Sequence, residues 1–185
     1  MPETTDLTNM RRRDRAQDDD WIKPFLHRAA FGNLATVQNG QPFINSNLFV
    51  FDEAAHAIYM HTARTGRTPD NLSEPSRVCF STSEMGRMLP AEVALEFSVE
   101  YKGVVAFGLA TLLSDQSEAE HGLQILLDKY APHLKPGRDY RPIQVEELKR
   151  TSVYRIDIES WSGKQKQVEE EFPGAFWYSS QISEG

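Results

Sequence analysis

The sequence holds one cysteine, Cys79, so neither an internal disulfide nor a cysteine-clustered zinc site is available to it. Any redox chemistry needs a bound cofactor. No run of apolar residues approaches the roughly 18 to 20 that a membrane-spanning helix requires, and no membrane role is expected. Positive charge is in deficit: 20 Lys and Arg face 27 Asp and Glu, for a net charge of −7, which argues against nucleic acid or an anionic membrane as partner. A small anionic ligand in a local basic pocket remains compatible with that balance. The histidines form no HxH or HExxH pattern, so no metal site is expected. GxSxG and GxGxxG are also missing, which removes the usual signals of a hydrolase elbow and a Rossmann dinucleotide site. Residues 1–20 mix both charge signs around no apolar centre, unlike a secretory signal, and a cytoplasmic location is the expectation.

What is present reads as one domain with a real core, since 185 residues suffice for that and hardly for two. Three segments are expected: a solvated arm over 1–20, a globular domain over 21–166, and a tail over 167–185 that packs on it or on a partner. Trp21, Ile22, Phe25, Leu26 and Ala29 recur at helical spacing. Phe31 to Val37 and Pro42 to Phe51 then alternate around the turn pair Asn39-Gly40, the pattern of a hairpin. Ala57 to Thr62 and Arg77 to Ser81 follow as further strands. Between them Thr68 is placed to cap a helix with Pro69 at its first position. Leu95 to Leu113 reads as two strands or one long bent one, Asp115 to about Tyr130 as a helix ended by Pro132, Val145 to Arg150 as a short helix, and Thr151 to Trp161 as a last strand. About six strands in hairpin order with few helices favour an antiparallel barrel.

One stretch stands out chemically. Tyr59-Met60-His61-Thr62-Ala63-Arg64-Thr65-Gly66-Arg67-Thr68 runs from a strand end through a glycine turn into a helix start. A phosphate needs close backbone approach, hydroxyls and fixed positive charge, and Thr65, Gly66 and Arg67 meet that need, arginine because its planar fork reaches two oxygens at once. By spacing alone the same segment is equally an ordinary turn. Trp161-Ser162-Gly163-Lys164, at the end of the last strand, is a weaker candidate for stacking on a ring beside a charge. Cys79, within Val78-Cys79-Phe80, is expected to be buried and unreactive.

In order and spacing, MHTARTGR, then LEFSVEYKG from Leu95, then WSGK from Trp161 resemble the FMN-binding split-barrel family related to pyridoxamine 5'-phosphate oxidase, over about Phe31 to Lys164. The nearer likeness is to its nitroimidazole-reductase-like and uncharacterised branch. The resemblance implies a mainly β fold, a six-stranded antiparallel split β-barrel with a few peripheral helices. It also implies a homodimer with FMN in a groove between subunits. By position, His61 and Thr62 fall where the family's third strand meets the flavin, and Thr65, Gly66 and Arg67 on its phosphate turn. Asn45, Ser46 and Asn47 fall beside the isoalloxazine edge, and Ser98 where the oxidase has a glutamine. Trp161 matches a tryptophan that reaches the flavin from the partner subunit, with Lys164 at the rim. The implied activity is that of an FMN-dependent oxidoreductase acting on a small molecule, in which His61 donates a hydrogen bond or proton to substrate. The alternative is a non-catalytic protein that binds or senses flavin, haem or a deazaflavin. Where the oxidase continues into an arginine- and histidine-containing motif for pyridoxal phosphate, this chain continues Gln165-Lys166-Gln167-Val168-Glu169-Glu170-Glu171. Glutamates there oppose a second phosphate.

Overall fold

In the computed structural model, which describes residues 6–178, the alternating stretches are strands and the three-to-four-spaced ones helices. In chain order they are β1 (Ala16–Gln17), α1 (Asp19–Arg28), β2 (Gly32–Gln38), β3 (Gln41–Asn47), β4 (Val50–Asp52), β5 (Ala57–Ala63), α2 (Arg67–Asn71), β6 (Ser76–Leu89), β7 (Ser98–Leu112), α3 (Gln116–Tyr130), α4 (Val145–Leu148) and β8 (Thr151–Lys166). All strand pairs are antiparallel, in the order β3-β2-β6-β7-β8-β5-β4, with β1 added to β8. The two ends of that path, β3 and β4, are separated in the chain only by Leu48 and Phe49, so the sheet must curl until its edges approach. The result is a mainly β, antiparallel split barrel with peripheral helices.

Alternation decides what fills it. Leu34, Ile58, Met60, Phe80, Val104, Ala106, Tyr154 and Ile156 point inward from five strands, while Ile22, Phe25 and Leu26 of α1 close the barrel with Phe49 and Phe51. Each large side chain taken out of water contributes about 1.5 to 3 kcal/mol. On the opposite face of β5, Tyr59 packs with Leu126 of α3 in a second, smaller cluster. Asp115 caps α3 by accepting from the Glu118 N–H at 2.8 Å. At Gly108 a register shift leaves Glu159 of β8 unpaired, and a Cβ there would lie 2.0 Å from the Asp157 carbonyl oxygen. Only glycine lets the two strands meet at that bulge.

Several boundaries differ from the sequence expectation. The Asn39-Gly40 turn is as expected, with φ of 52° and 78°. Its second strand, however, breaks at Leu48-Phe49 instead of running to Phe51. Phe49 is fully buried there, and the Tyr130 hydroxyl accepts its N–H at 3.1 Å. The strand expected over Arg77–Ser81 is 14 residues long, and Leu95–Leu113 is a 3₁₀ turn at Ala94–Glu96 followed by one continuous strand. Polar residues continue both strands, and hydrophobic patterning does not register them. Gly66, not Thr68, precedes α2: the Thr68 side chain is buried, and Pro69 falls within the first turn, where no intrahelical N–H is required. Two short strands, β1 and β4, bring the six expected strands to eight. In the segment read as a solvated arm, Ala16 and Gln17 pair with Lys164 and Gly163, and Asp18 caps α1. The tail is described only as far as Tyr178, and residues 179–185 lie outside the described part. No helix of the described residues is long and apolar enough to cross a membrane.

One buried ion pair ties that tail down. Glu100 accepts from Arg87 Nε and Nη2, both at 2.9 Å, and from the Val168 N–H at 3.0 Å. Arg87 spends its remaining donors on the Glu169 and Glu170 carbonyls at 3.0 and 2.7 Å. The guanidinium, helped by the backbone N–H groups and opposed by burial, holds the Glu100 carboxyl down from 4.5 to about 2. A carboxyl whose pKa is lowered on folding adds stability that is complete above its unfolded value and disappears as the pH falls through the folded one. Stability is therefore expected to drop between about pH 4.5 and 2 as Glu100 takes up its proton. In urea titrations across that window Glu100→Gln is expected to lie below wild type at neutral pH and to show a flatter acid limb. An unchanged limb counts against the clamp.

Candidate functional site

β3 and β5 end side by side, and the turn after β5 leads into α2. These three pieces make a shallow groove of about 400 Å³, walled by Phe43, Asn45, Ser46 and Asn47 from β3, Thr62 and Ala63 from β5, and Thr65 to Pro69 from the turn and helix. Period-two alternation puts Phe43, Asn45 and Asn47 on one face of β3. Asn47 closes the gap between the strands. Its Nδ2 donates to the His61 carbonyl at 2.6 Å while its Oδ1 accepts the Leu48 N–H at 2.8 Å. Gly66, at φ 128°, supplies a backbone that other residues rarely adopt, and space is open where its Cβ would stand.

Charge at the groove is one-sided. The Arg67 guanidinium lies 5.5 Å from the Phe43 ring centroid and forms no ion pair among the described residues. Arg64, three residues earlier, is turned away and donates to the Lys149 carbonyl at 2.9 Å. The Thr62 hydroxyl donates to the Ala63 carbonyl at 2.9 Å and lies 3.3 Å from the Tyr154 hydroxyl. Ser46 donates to Asn33 Oδ1 at 2.6 Å on the groove's outer lip. Arg67 is thus the charged group of the groove, and no carboxylate is among its walls.

Seven of the residues expected from the sequence, Asn45, Ser46, Asn47, Thr62, Thr65, Gly66 and Arg67, thus come together. His61 is beside the groove and not among its walls. It lies on the Tyr59 face of β5, its Nδ1 is buried without a hydrogen-bond partner, and burial pushes its pKa below the ordinary histidine value, leaving it neutral near pH 7. Only its carbonyl serves the groove. Ser98, Trp161 and Lys164 lie elsewhere on the same chain. Trp161 packs edge-on against Phe51 and His56, and its indole N–H donates to Asp19 at 2.8 Å. Ser98 accepts from Lys166, and Lys164 sits 5.6 Å from the Tyr101 ring centroid. Phe43 was not foreseen, although its two-residue spacing from Asn45 is the signal that would have found it. Cys79 is half-buried, and burial raises its thiol pKa. Among the described residues no three metal-ligating side chains are grouped to hold an ion.

Residues 18–165 match the model of a family described as pyridoxamine 5'-phosphate oxidase. Among solved structures, a flavocytochrome from Azotobacter vinelandii is 24% identical with a TM-score of 0.76, over 94% of this chain and 82% of that one. An FAD- and haem-binding protein from Mycobacterium smegmatis is 20% identical with a TM-score of 0.72, over 92% and 80%. An FAD-binding protein from Mesorhizobium loti is 20% identical with a TM-score of 0.58, over 83% and 98%. Identities this low show a common fold. No curated protein matches the chain.

The Asn47 bridge makes a direct test of how the groove is held. Asn47→Ala leaves the His61 carbonyl and the Leu48 N–H without these partners, and is expected to cost about 1 to 2 kcal/mol in urea unfolding. A cost within about 0.5 kcal/mol, the usual range for a surface substitution, shows that the two strands are held by other contacts.

Proposed function

Because the chain belongs to the pyridoxamine 5'-phosphate oxidase family, we propose that it is a flavoprotein oxidoreductase that holds FMN in the groove between β3 and α2 and acts on a small molecule. The observation that carries this reading is Arg67, a guanidinium without a carboxylate partner among the described residues, at a groove whose other walls are uncharged and include the hydroxyls and amides of Asn45, Ser46, Asn47, Thr62 and Thr65. That donor set fits the cofactor. Arg67 holds the phosphate through its fork, and the Phe43 ring beneath keeps the guanidinium plane in place. Thr65 adds a hydroxyl, and Gly66 lets the backbone approach. Asn45 offers an amide to the acceptor edge of the ring, while Asn47, already bonded to β5, keeps the wall rigid. A single arginine in the groove suits one phosphate, which favours FMN over a dinucleotide. When bound, the flavin supplies hydride or electron transfer, and the chain binds it, orients it and excludes water.

A groove this shallow needs a lid, and a second copy of the chain supplies it in this reading. Val37 and Ile44, 60% and 62% exposed, stand on the outer face of the sheet beside Ser46 at the groove's lip. The face continues through Ala35, Cys79 and Phe107, which lie in register across β2, β6 and β7. Large apolar side chains exposed together in this way mark an association surface. Ser98, Trp161 and Lys164, remote from the chain's own groove, reach a flavin only if they belong to the partner. Glu169, Glu170 and Glu171 follow β8 and oppose a phosphorylated substrate, which separates this protein from a pyridoxamine-phosphate oxidase in the strict sense.

Purified protein mixed with FMN and desalted is expected to keep absorption bands near ~370 and ~450 nm, the oxidised flavin's own. Arg67→Ala is expected to weaken FMN binding by about 2 to 4 kcal/mol, and equal affinity removes the groove from the assignment. A Soret band in place of these bands moves the assignment to haem, and bound flavin that no reduced nicotinamide reduces makes the protein a binder. In solution the assembly is expected at twice the chain's 21.1 kDa. Ile44→Glu is expected to give monomers that lose flavin on desalting. A monomeric wild type that retains flavin refutes the shared site.

A further inference from the structure

The face of the sheet that carries Ala35, Cys79 and Phe107 runs on past them along the β6–β7 ribbon. Strand alternation puts Ser81, Ser83 and Met85 of β6 on it, opposite Val105, Gly103 and Tyr101 of β7. Register then adds β8, with Lys164 opposite Gly103 and Lys166 opposite Tyr101. Tyr101 and Lys164 therefore share one face, and a partner that meets Lys164 there meets Tyr101 as well.

Two cations converge on the Tyr101 phenol. Arg15 Nη1 donates to its oxygen at 3.0 Å, and the guanidinium carbon lies 5.8 Å from the ring centroid. Lys164 hydrogen-bonds to it too, with Nζ 5.6 Å from the centroid. Asp14, the acid next to Arg15, is bonded to Arg12, and among the described residues neither Arg15 nor Lys164 has a carboxylate partner. An oxygen that accepts from two cations has its own O–H left to donate. Burial pushes the phenol up, but the hydrogen bonds from Arg15 and Lys164 outweigh it and hold Tyr101 below the ordinary tyrosine value. The remaining charged groups around it are Arg12 near β1, Glu84 of β6, Lys102 of β7, Lys166 of β8 and Glu170 of the tail, with Arg87 and Glu100 paired to each other.

Tyr101 is also in the wall of a cavity of about 480 Å³ at the far end of the ribbon. The charges of that wall cancel, Arg87, Lys102 and Lys166 against Glu84, Glu100 and Glu170, while Met85 and Trp177 add apolar surface. A balanced, partly apolar lining suits a neutral, flat molecule.

We propose that Tyr101 is a catalytic proton donor to the flavin site of the partner subunit, serving a neutral, flat acceptor of the quinone type lodged against Met85 and Trp177. This role rests on the flavin site shared between two chains. One quinone oxygen takes a hydride from reduced flavin, the oxygen left negative takes the proton of Tyr101, and both carbonyls end as hydroxyls. Arg15 and Lys164 stabilise the tyrosinate until water returns its proton, and a reduced nicotinamide, itself oxidised, supplies the next hydride to the flavin.

The test takes the FMN-loaded protein, titrates its flavin to full reduction with dithionite in the absence of oxygen, and follows reoxidation by menadione. The wild-type rate is expected to fall as the pH rises through the Tyr101 value, because the acid form is lost. Tyr101→Phe is expected to keep wild-type FMN affinity, to reoxidise at least tenfold more slowly and to lose that pH limb. Without any turnover, the tyrosinate absorbance of wild type minus Tyr101→Phe is expected to show one phenol titrating below the ordinary value of about 10. Arg15→Met, which leaves the phenol in place, is expected to move both that titration and the limb upward, with thermal melts confirming that each variant is folded. Flavin retained with an unchanged rate in Tyr101→Phe, or a Tyr101 phenol titrating at or above its ordinary value, overturns the proposal and leaves the flavin reading standing. Weakened FMN binding in Tyr101→Phe makes the phenol a flavin ligand and overturns the donor role. A wild type that keeps no flavin overturns both.

Discussion

Two residues, Leu48 and Phe49, join the opposite ends of the sheet path, and the rest of the structure depends on that short link. A sheet whose first and last strands are consecutive in the chain cannot lie flat. It has to coil, and coiling puts Phe49 in the core at full burial, with its backbone N–H met by Tyr130 from α3. Coiling also brings β3 beside β5 without a ladder of backbone bonds between them. Asn47 bridges that seam with its side chain, and the seam's mouth is the groove. The site therefore sits where the barrel is split, because only there do two strand ends present side chains and backbone that the ladder has not consumed.

Electrostatics separates structural from receptive charge. Most basic residues with short polar contacts answer a carboxylate, as Arg87 does Glu100 and Arg155 does Glu118 and Asp157. Arg67 lies against an aromatic ring instead, and Arg15, Lys164 and Lys166 lie against hydroxyls and a ring. A half-buried cation without a counter-ion has lost hydration and gained little in return, so it is costly unless another anion arrives. These cations differ in setting: Arg67 is exposed at the groove, Arg15, Lys164 and Lys166 are half-buried, and Lys129, also without a carboxylate among the described residues, donates to the Leu26 carbonyl and lies 3.8 Å from the Phe49 ring centroid. The acidic balance of the whole chain makes these exceptions more informative than they would be in a basic protein.

His61 shows what strand alternation adds to a motif. His61 stands in the most suggestive stretch of the sequence, next to the glycine turn, yet β5 alternates, so it shares the face of Tyr59 while Thr62, 3.3 Å from the Tyr154 hydroxyl, shares the face of Met60. A residue-type argument cannot see that difference of one position, because the period of a strand is two and neighbours point to opposite faces. The residues of the groove fall on several short segments, which tolerate change more readily than the bulge at Gly108 or the packing of Phe80.

The sequence by itself determined the hairpin at Asn39-Gly40, the helix after Asp115, the antiparallel class and the candidate turn from Thr65 to Arg67, since turn residues, caps and alternation are local and leave a local trace. It also determined the ordered motifs that carry the family likeness. It did not determine how far β6 and β7 run, because their ends are polar and are held by pairing with each other, which leaves no hydrophobic alternation. Tertiary structure alone decided that Asn47 is a bridge, that Phe43 underlies Arg67, and that Trp161 bonds to Asp19 across the chain. It likewise decided that Arg15 and Lys166, far apart in sequence, share one corner with Tyr101. Such contacts arise from curling and register, which close over distances that no local pattern encodes.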